Sequence, residues 1–170
     1  MTVEWKKLAY DDEVVKQSIA TAANDFLVAS GAGVFVKKTL AEVQALIGSG
    51  GSGGSSSVGI TIDGGGSAIT TGVKGYVVVP YGATITGWYL IGTPSGSLVI
   101  DVWKAAGAIP TVASTIAGSE KPTLSSAQLA NDTDLSSWTT GIAAGDVLGF
   151  NVDSCSGCTW ASLVIAVTKT

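Results

Sequence analysis

The chain contains no histidine and no arginine, and its nine basic residues are all lysines. Histidine is the commonest general base and the commonest metal ligand, so neither a Ser-His-Asp nor a Cys-His catalytic machine can be assembled here. Arginine is the usual bidentate reader of phosphate and guanine. Without it, and with a formal net charge of -4, no nucleic-acid partner is expected. Charged residues make up only 13% of the 170 residues, against roughly 25% in an average soluble domain. With 46% hydrophobic residues, much of the surface must be neutral Ser, Thr, Gly and Ala, or be covered by other protein. Long apolar runs are also missing. Tyr76 to Val79 and Leu163 to Val167 have strand length, well short of the ~20 residues of a bilayer crossing, so no membrane insertion is expected. The start, from Met1 to Glu13, lacks the apolar core of an export signal.

Cysteine is scarce, and the two that exist, Cys155 and Cys158, form a Cys-x-x-Cys pair. A structural zinc shell would need two further ligands from His or Cys, which the chain does not have. A thioredoxin-like site would need a helix N-terminus, whereas this motif falls in a turn expected over Ser154 to Gly157. Whether the two thiols are bonded stays open. The acidic runs Asp11-Asp12-Glu13 and Asn131-Asp132-Thr133-Asp134 lack the Gly and distal Glu of an EF-hand loop and read as exposed carboxylates. Asp63-Gly64-Gly65-Gly66 lacks the Lys-Ser/Thr of a phosphate loop and reads as a turn. No metal, no cofactor and no enzymatic activity are expected.

Glycine and serine are plentiful at one place, Gly48 to Ser57, where the composition changes abruptly. This run reads as a linker between residues 1–47 and residues 58–170. Before it, Phe26 to Ser30 and Val34 to Lys38 are β-prone runs around Gly31-Ala32-Gly33, the pattern of a hairpin. Thr39-Leu40-Ala41-Glu42 is a capping box, so a short helix is expected over Leu40 to Ile47, ended by Gly48. A hairpin with two turns of helix has too little surface for its own core. Phe26, Val28, Phe35, Leu40, Val43, Leu46 and Ile47 are therefore candidate oligomerisation or docking residues.

After the linker the hydrophobic period is two. Strands are expected at Val58 to Ile62, Val73 to Val79, Ala83 to Ile91, Ser97 to Lys104, Val147 to Val152 and Thr159 to Thr168. Turns are expected at Pro80 to Gly82, Gly92 to Gly96, Ala144 to Asp146 and Ser154 to Gly157. The Ala105 to Thr140 stretch, broken by Pro110 and Pro122, should hold one or two short strands. The whole is mainly β: an antiparallel, jelly-roll-like β-sandwich preceded by a small hairpin-plus-helix segment.

Strand parity picks out candidate surface residues. Taking Ile85, Tyr89 and Ile91 as inward sends Trp88 to the other face. Leu98, Ile100 and Val102 inward leaves Asp101 and Trp103 opposite, and Leu163, Ile165 and Val167 inward leaves Trp160 opposite. Three readings of Trp88, Asp101, Trp103 and Trp160 stay open: indoles packed under loops, a contact between subunits, or a glycan platform in which a sugar stacks on indole while Asp101 accepts hydroxyl hydrogen bonds.

Asn24-Asp25-Phe26-Leu27-Val28 through Gly33-Val34-Phe35-Val36-Lys37-Lys38-Thr39-Leu40-Ala41-Glu42 resembles a connector phrase of bacteriophage and prophage tail-fibre and minor structural proteins. Ile85-Thr86-Gly87-Trp88, Val99-Ile100-Asp101-Val102-Trp103-Lys104, Lys121 to Ser125, Ala144 to Leu148 and Phe150 to Ser154 are similar to a terminal domain of the same virion proteins. The resemblance implies a β-sandwich head, a homotrimeric habit, a role in attachment or particle decoration, docking on other virion proteins through the N-terminal segment, and a place in the virion; the glycan-platform reading would add a host surface glycan as a partner. The chain departs from long fibres in being short and lacking a heptad shaft, which fits a head fibre, capsid decoration protein or short tail appendage.

Overall fold

The computed structural model describes residues 26–32, 34–46 and 53–170. The chain divides into two compact units, residues 1–50 and 51–170. In the first, β1 (Phe26–Gly31) and β2 (Val34–Lys38) form the expected antiparallel hairpin, with a bulge between Ala29 and Gly31. The helix α1 (Leu40–Leu46) follows. Its capping box is made as read: the Glu42 amide donates to Thr39 Oγ1 at 3.3 Å, and the Thr39 amide donates to Glu42 Oε2 at 2.7 Å. Ile47, Gly48 and the acidic run Asp11-Asp12-Glu13 lie outside the described residues.

The second unit is one hydrogen-bonded antiparallel sheet of seven strands curled around a single core. Its strands are β3 (Ser55–Asp63), β4 (Gly72–Val78), β5 (Ala83–Ala106), β6 (Thr123–Asp132), β7 (Gly141–Ile142), β8 (Asp146–Ser156) and β9 (Trp160–Lys169). The order β3-β9-β5-β8-β4 forms its path, with β6 and β7 paired to β5. Buried Leu90, Leu98, Ile100, Phe150, Leu163 and Ile165 come from the three central strands of that path, β5, β8 and β9. Each such side chain contributes about 1.5–3 kcal/mol through burial, which is what curls the sheet.

Two expected turns are corners instead. Ala83 to Ile91 and Ser97 to Lys104 are halves of one 24-residue strand, not the arms of a hairpin. The first half of β5 pairs with β9, from Ala83↔Lys169 to Thr93↔Trp160, and the second with β8, from Ser97↔Ser156 to Ala106↔Asp146. The β8–β9 connection at Gly157 to Thr159 therefore faces the bend of β5, and β6 bends with them at Ser126, whose φ is 49°. Gly-Pro-Ser chemistry suits a bend as well as a reversal, and only pairing partners distinguish them. Neighbouring strands close the corner tightly: a Cβ on Gly96 would stand 2.4 Å from the Ser156 carbonyl oxygen.

The linker is also shorter than its composition implies. Within Gly48 to Ser57, β3 already begins at Ser55, and the Lys169 amide donates to the Gly54 carbonyl at 3.0 Å. Backbone pairing needs no apolar side chain, so a Gly/Ser run can lie along an edge. The Ala105 to Thr140 stretch holds the ten-residue β6 and a 3-10 turn at Val112–Ser114, and the two-residue β7 follows it.

Candidate interaction surfaces

The parity reading of β5 fails in its first half and holds in its second. Ile85 pairs with Val167 and Gly87 with Ala166, so Thr86 is an extra residue on β5. One inserted residue exchanges the two faces of everything after it. Trp88 and Leu90 consequently turn inward, at 5% and 0% exposure, while Tyr89 and Ile91 turn outward at 44% and 47%. Trp88 thus belongs to the core and offers no face to a ligand. In the second half, Leu98, Ile100 and Val102 are inward as expected. The register shift there leaves β5 regular, because the extra residue, Asp153, is on β8.

Asp101 and Trp103 do lie opposite that core, but they are covered. The segment between β5 and β6 runs back over them, with Thr115 bridging Trp103 and the Ile116 amide donating to the Val102 carbonyl. Asp101 is 1% exposed. It accepts hydrogen bonds from Trp103 Nε1 at 2.9 Å and Thr115 Oγ1 at 2.6 Å, and pairs with Lys121 Nζ at 3.0 Å. Lys121 also binds Asp153 at 2.7 Å. Its ammonium is held above its ordinary pKa, first by that Asp153 hydrogen bond, with burial opposing and Asp101 reinforcing the shift. Both Asp101 oxygens are thereby engaged within the protein. The Asp101–Trp103 pair fastens an overlying strap and cannot serve as a sugar platform. Of the three open readings, packing under a loop describes Trp103.

Trp160 is half-buried at the start of β9, flanked in register by Thr93 and Asp63. It stands at one end of a neutral face that parity reasoning missed. Tyr89 lies directly across from Val164, and Ile91 across from Leu129. These four large side chains are 36–62% exposed. Asn131, Ser162 and Thr61 continue the same rows, and Asp63 at the margin is the charged residue of this face. The signal that could have found it is the alternation Tyr89-Ile91-Thr93, once shifted by a bulge. Edge strand β4 carries a second exposed apolar strip, Val73, Tyr76 and Val78.

In the N-terminal unit four of the candidates, Phe26, Phe35, Leu40 and Leu46, are exposed, together with Leu27 and Val34, which the sequence did not single out. Phe26 and Leu27 are each 38% accessible, Phe35 46%, Leu40 51%, Val34 53% and Leu46 61%, while Val28 and Val43 are half-buried. Solvated polar groups surround them: Lys38 Nζ reaches Glu42 at 3.2 Å, a pair too exposed to contribute much. Six large apolar side chains on so small a unit exceed what scattered surface hydrophobics explain.

The remaining loop carboxylates have local tasks. Asp63 accepts from the Gly65 amide and Asp132 from the Asp134 amide, each closing a turn on itself. Among the described residues no helix is long and apolar enough to cross a membrane. No family model, curated protein or solved structure matches this chain.

Proposed function

We propose that this protein is a building block of a virion: a fibre, appendage or capsid decoration protein, anchored and oligomerised by its N-terminal unit and presenting its β domain outward. The observation that carries this reading is the apolar surface of the hairpin and helix, from Phe26 to Leu46, left open to solvent on a unit too small to bury it alone. Copies of the same chain are the occupant that fits best. A hairpin and helix brought together around a symmetry axis bury the same residues on every copy. The N-terminal and C-terminal phrases that resemble phage structural proteins supply the virion part of the proposal, and with it the trimeric state and docking on other virion proteins. On the β domain, the Tyr89-Ile91-Leu129-Val164 face replaces the buried indoles as the surface for attachment, and tethering several such faces multiplies weak contacts into avidity.

Sedimentation equilibrium of the full chain tests the anchoring step. A trimer is expected at micromolar concentration, reverting to monomer in the doubly substituted Phe35→Ser, Leu46→Ser chain while the thermal transition of the β domain is retained. A wild-type chain that stays monomeric would remove the reading.

A further inference from the structure

The corner at which β5, β6 and the β8–β9 connection bend together holds both cysteines of the chain. Cys155 is opposite Leu98 in register, and Leu98 is fully buried, so the Cys155 thiol points to the inner side of the corner from a half-exposed position. Three residues on, Cys158 is completely buried. Its sulfur lies against the backbone of the neighbouring strand: a Cβ on Gly92 would come within 3.0 Å of it, and one on Gly96 within 2.9 Å. Gly157, at φ 93°, makes the bend that returns the chain from Cys155 to Cys158. The Cys155 thiol donates to the Cys158 carbonyl at 3.5 Å, which places the Cys155 sulfur against the Cys158 residue. Three glycines thus make room for two neighbouring cysteines, one reachable from solvent and one sealed. Among the described residues no group of three or more His, Cys, Asp or Glu could hold a metal ion.

We propose that Cys155 and Cys158 are a thiol–disulfide modification site, closed by exchange with a small-molecule disulfide of the glutathione type. The Cys155 thiolate attacks the S–S bond of the small disulfide, which breaks and releases one thiolate, leaving a mixed disulfide on Cys155. The Cys158 thiolate then attacks the Cys155 sulfur and expels the second small thiolate. The protein gives up two electrons and two protons; the small disulfide takes the electrons and becomes two thiols. The order of attack follows from access, because the buried Cys158 cannot meet a bulky disulfide. Burial foremost, reinforced by Cys155, also raises the Cys158 pKa, which makes it the poorer first nucleophile. A bond there would tie the end of β8 to the start of β9 and fix the bend between the two halves of the sheet.

Incubating the folded full-length chain with oxidised glutathione, quenching with acid and recording intact mass tests this. The expected product has lost two hydrogens, carries no glutathione and no longer reacts with maleimide after denaturation. In Cys158→Ser a glutathione adduct should accumulate on Cys155. Folded Cys155→Ser should remain unmodified, its Cys158 reacting only once urea is added. A stable glutathione adduct on the wild-type chain, or two thiols that stay free in the folded protein while the urea-denatured chain oxidises, would overturn the proposal.

Discussion

Trp88 and Trp138 are buried to the same degree, 5% and 7% exposed, yet their indole N–H groups differ. Trp138 Nε1 donates to the Glu120 carbonyl at 3.0 Å, whereas Trp88 Nε1 has no hydrogen-bond partner among the described residues. A buried donor without an acceptor costs about 1–3 kcal/mol, and a made bond contributes about 1 kcal/mol. Replacing each indole by Phe removes similar volume, so the difference between the two variants isolates the N–H. Trp138→Phe is expected to destabilise the domain by at least ~1 kcal/mol more than Trp88→Phe, read from urea midpoints at equal slope. At this scale the sequence was legible wherever the partner was local. Thr39 and Glu42 announced their capping box through spacing alone. Trp103 was placed correctly by parity, but the strap that covers it comes from residues 107–122, and nothing in the Ser/Thr/Ala composition of that stretch says where it lies. Trp88 was misread because the residue that reverses its face, Thr86, looks like any other strand threonine.

Elements show the same division between local and distant causes. The bends of β5 and of the β8–β9 connection were visible as turn chemistry but not as corners, since strand pairing over long separations decides which they are. Gly96 bears on this directly. A methyl there would collide with backbone, at 2.4 Å from the Ser156 oxygen and 2.8 Å from the Cys158 nitrogen, and backbone in a paired strand cannot withdraw cheaply. Gly96→Ala is expected to cost more than ~2 kcal/mol. Gly141, in β7, has open space where its Cβ would stand, so Gly141→Ala should stay within about 0.5 kcal/mol of the parent. Equal stability of the two variants in thermal melts would contradict the corner packing.

The loop before β7 is held by charge. Glu120 accepts from Ser136 Oγ, the Ser137 amide and Ser137 Oγ, and these bonds, that of Ser136 foremost, lower its carboxyl below the ordinary 4.5. A depressed folded-state pKa means the stabilisation is fully present above the ordinary value and lost as pH falls through the lowered one. The gap in unfolding midpoint between the parent and Glu120→Gln should therefore be constant around neutrality and narrow in acid. A gap that widens with acidification would contradict this assignment.

For the molecule as a whole, a mainly β chain with a hairpin-plus-helix front was readable from periodicity and the Gly/Ser boundary. The strand β3 reaching back into that Gly/Ser run was not, because its first residues are recruited by the backbone of β9 rather than by their own side chains. The surfaces that stay apolar are likewise a whole-molecule property. Tyr89, Ile91, Leu129 and Val164 come from three strands and form one face only after the Thr86 bulge and the β5–β6 pairing are in place. If the chain assembles as proposed and that face makes its outward contacts, Tyr89→Ser with Leu129→Ser should leave the oligomeric state and the thermal transition unchanged while reducing adsorption of the protein to its target surface at least tenfold. Unaltered adsorption would move the contact elsewhere.

One strand, β5, is shared by both ends of the curled sheet, and this governs how the domain must form. Ala83 waits for Lys169 and Ala106 for Asp146, so only the pairing with β6 joins the central strand to the next strand in the chain. Such a topology folds on the millisecond-to-second scale rather than in microseconds. A ribosome must also release nearly the entire domain before that spine is held along its length by both β8 and β9.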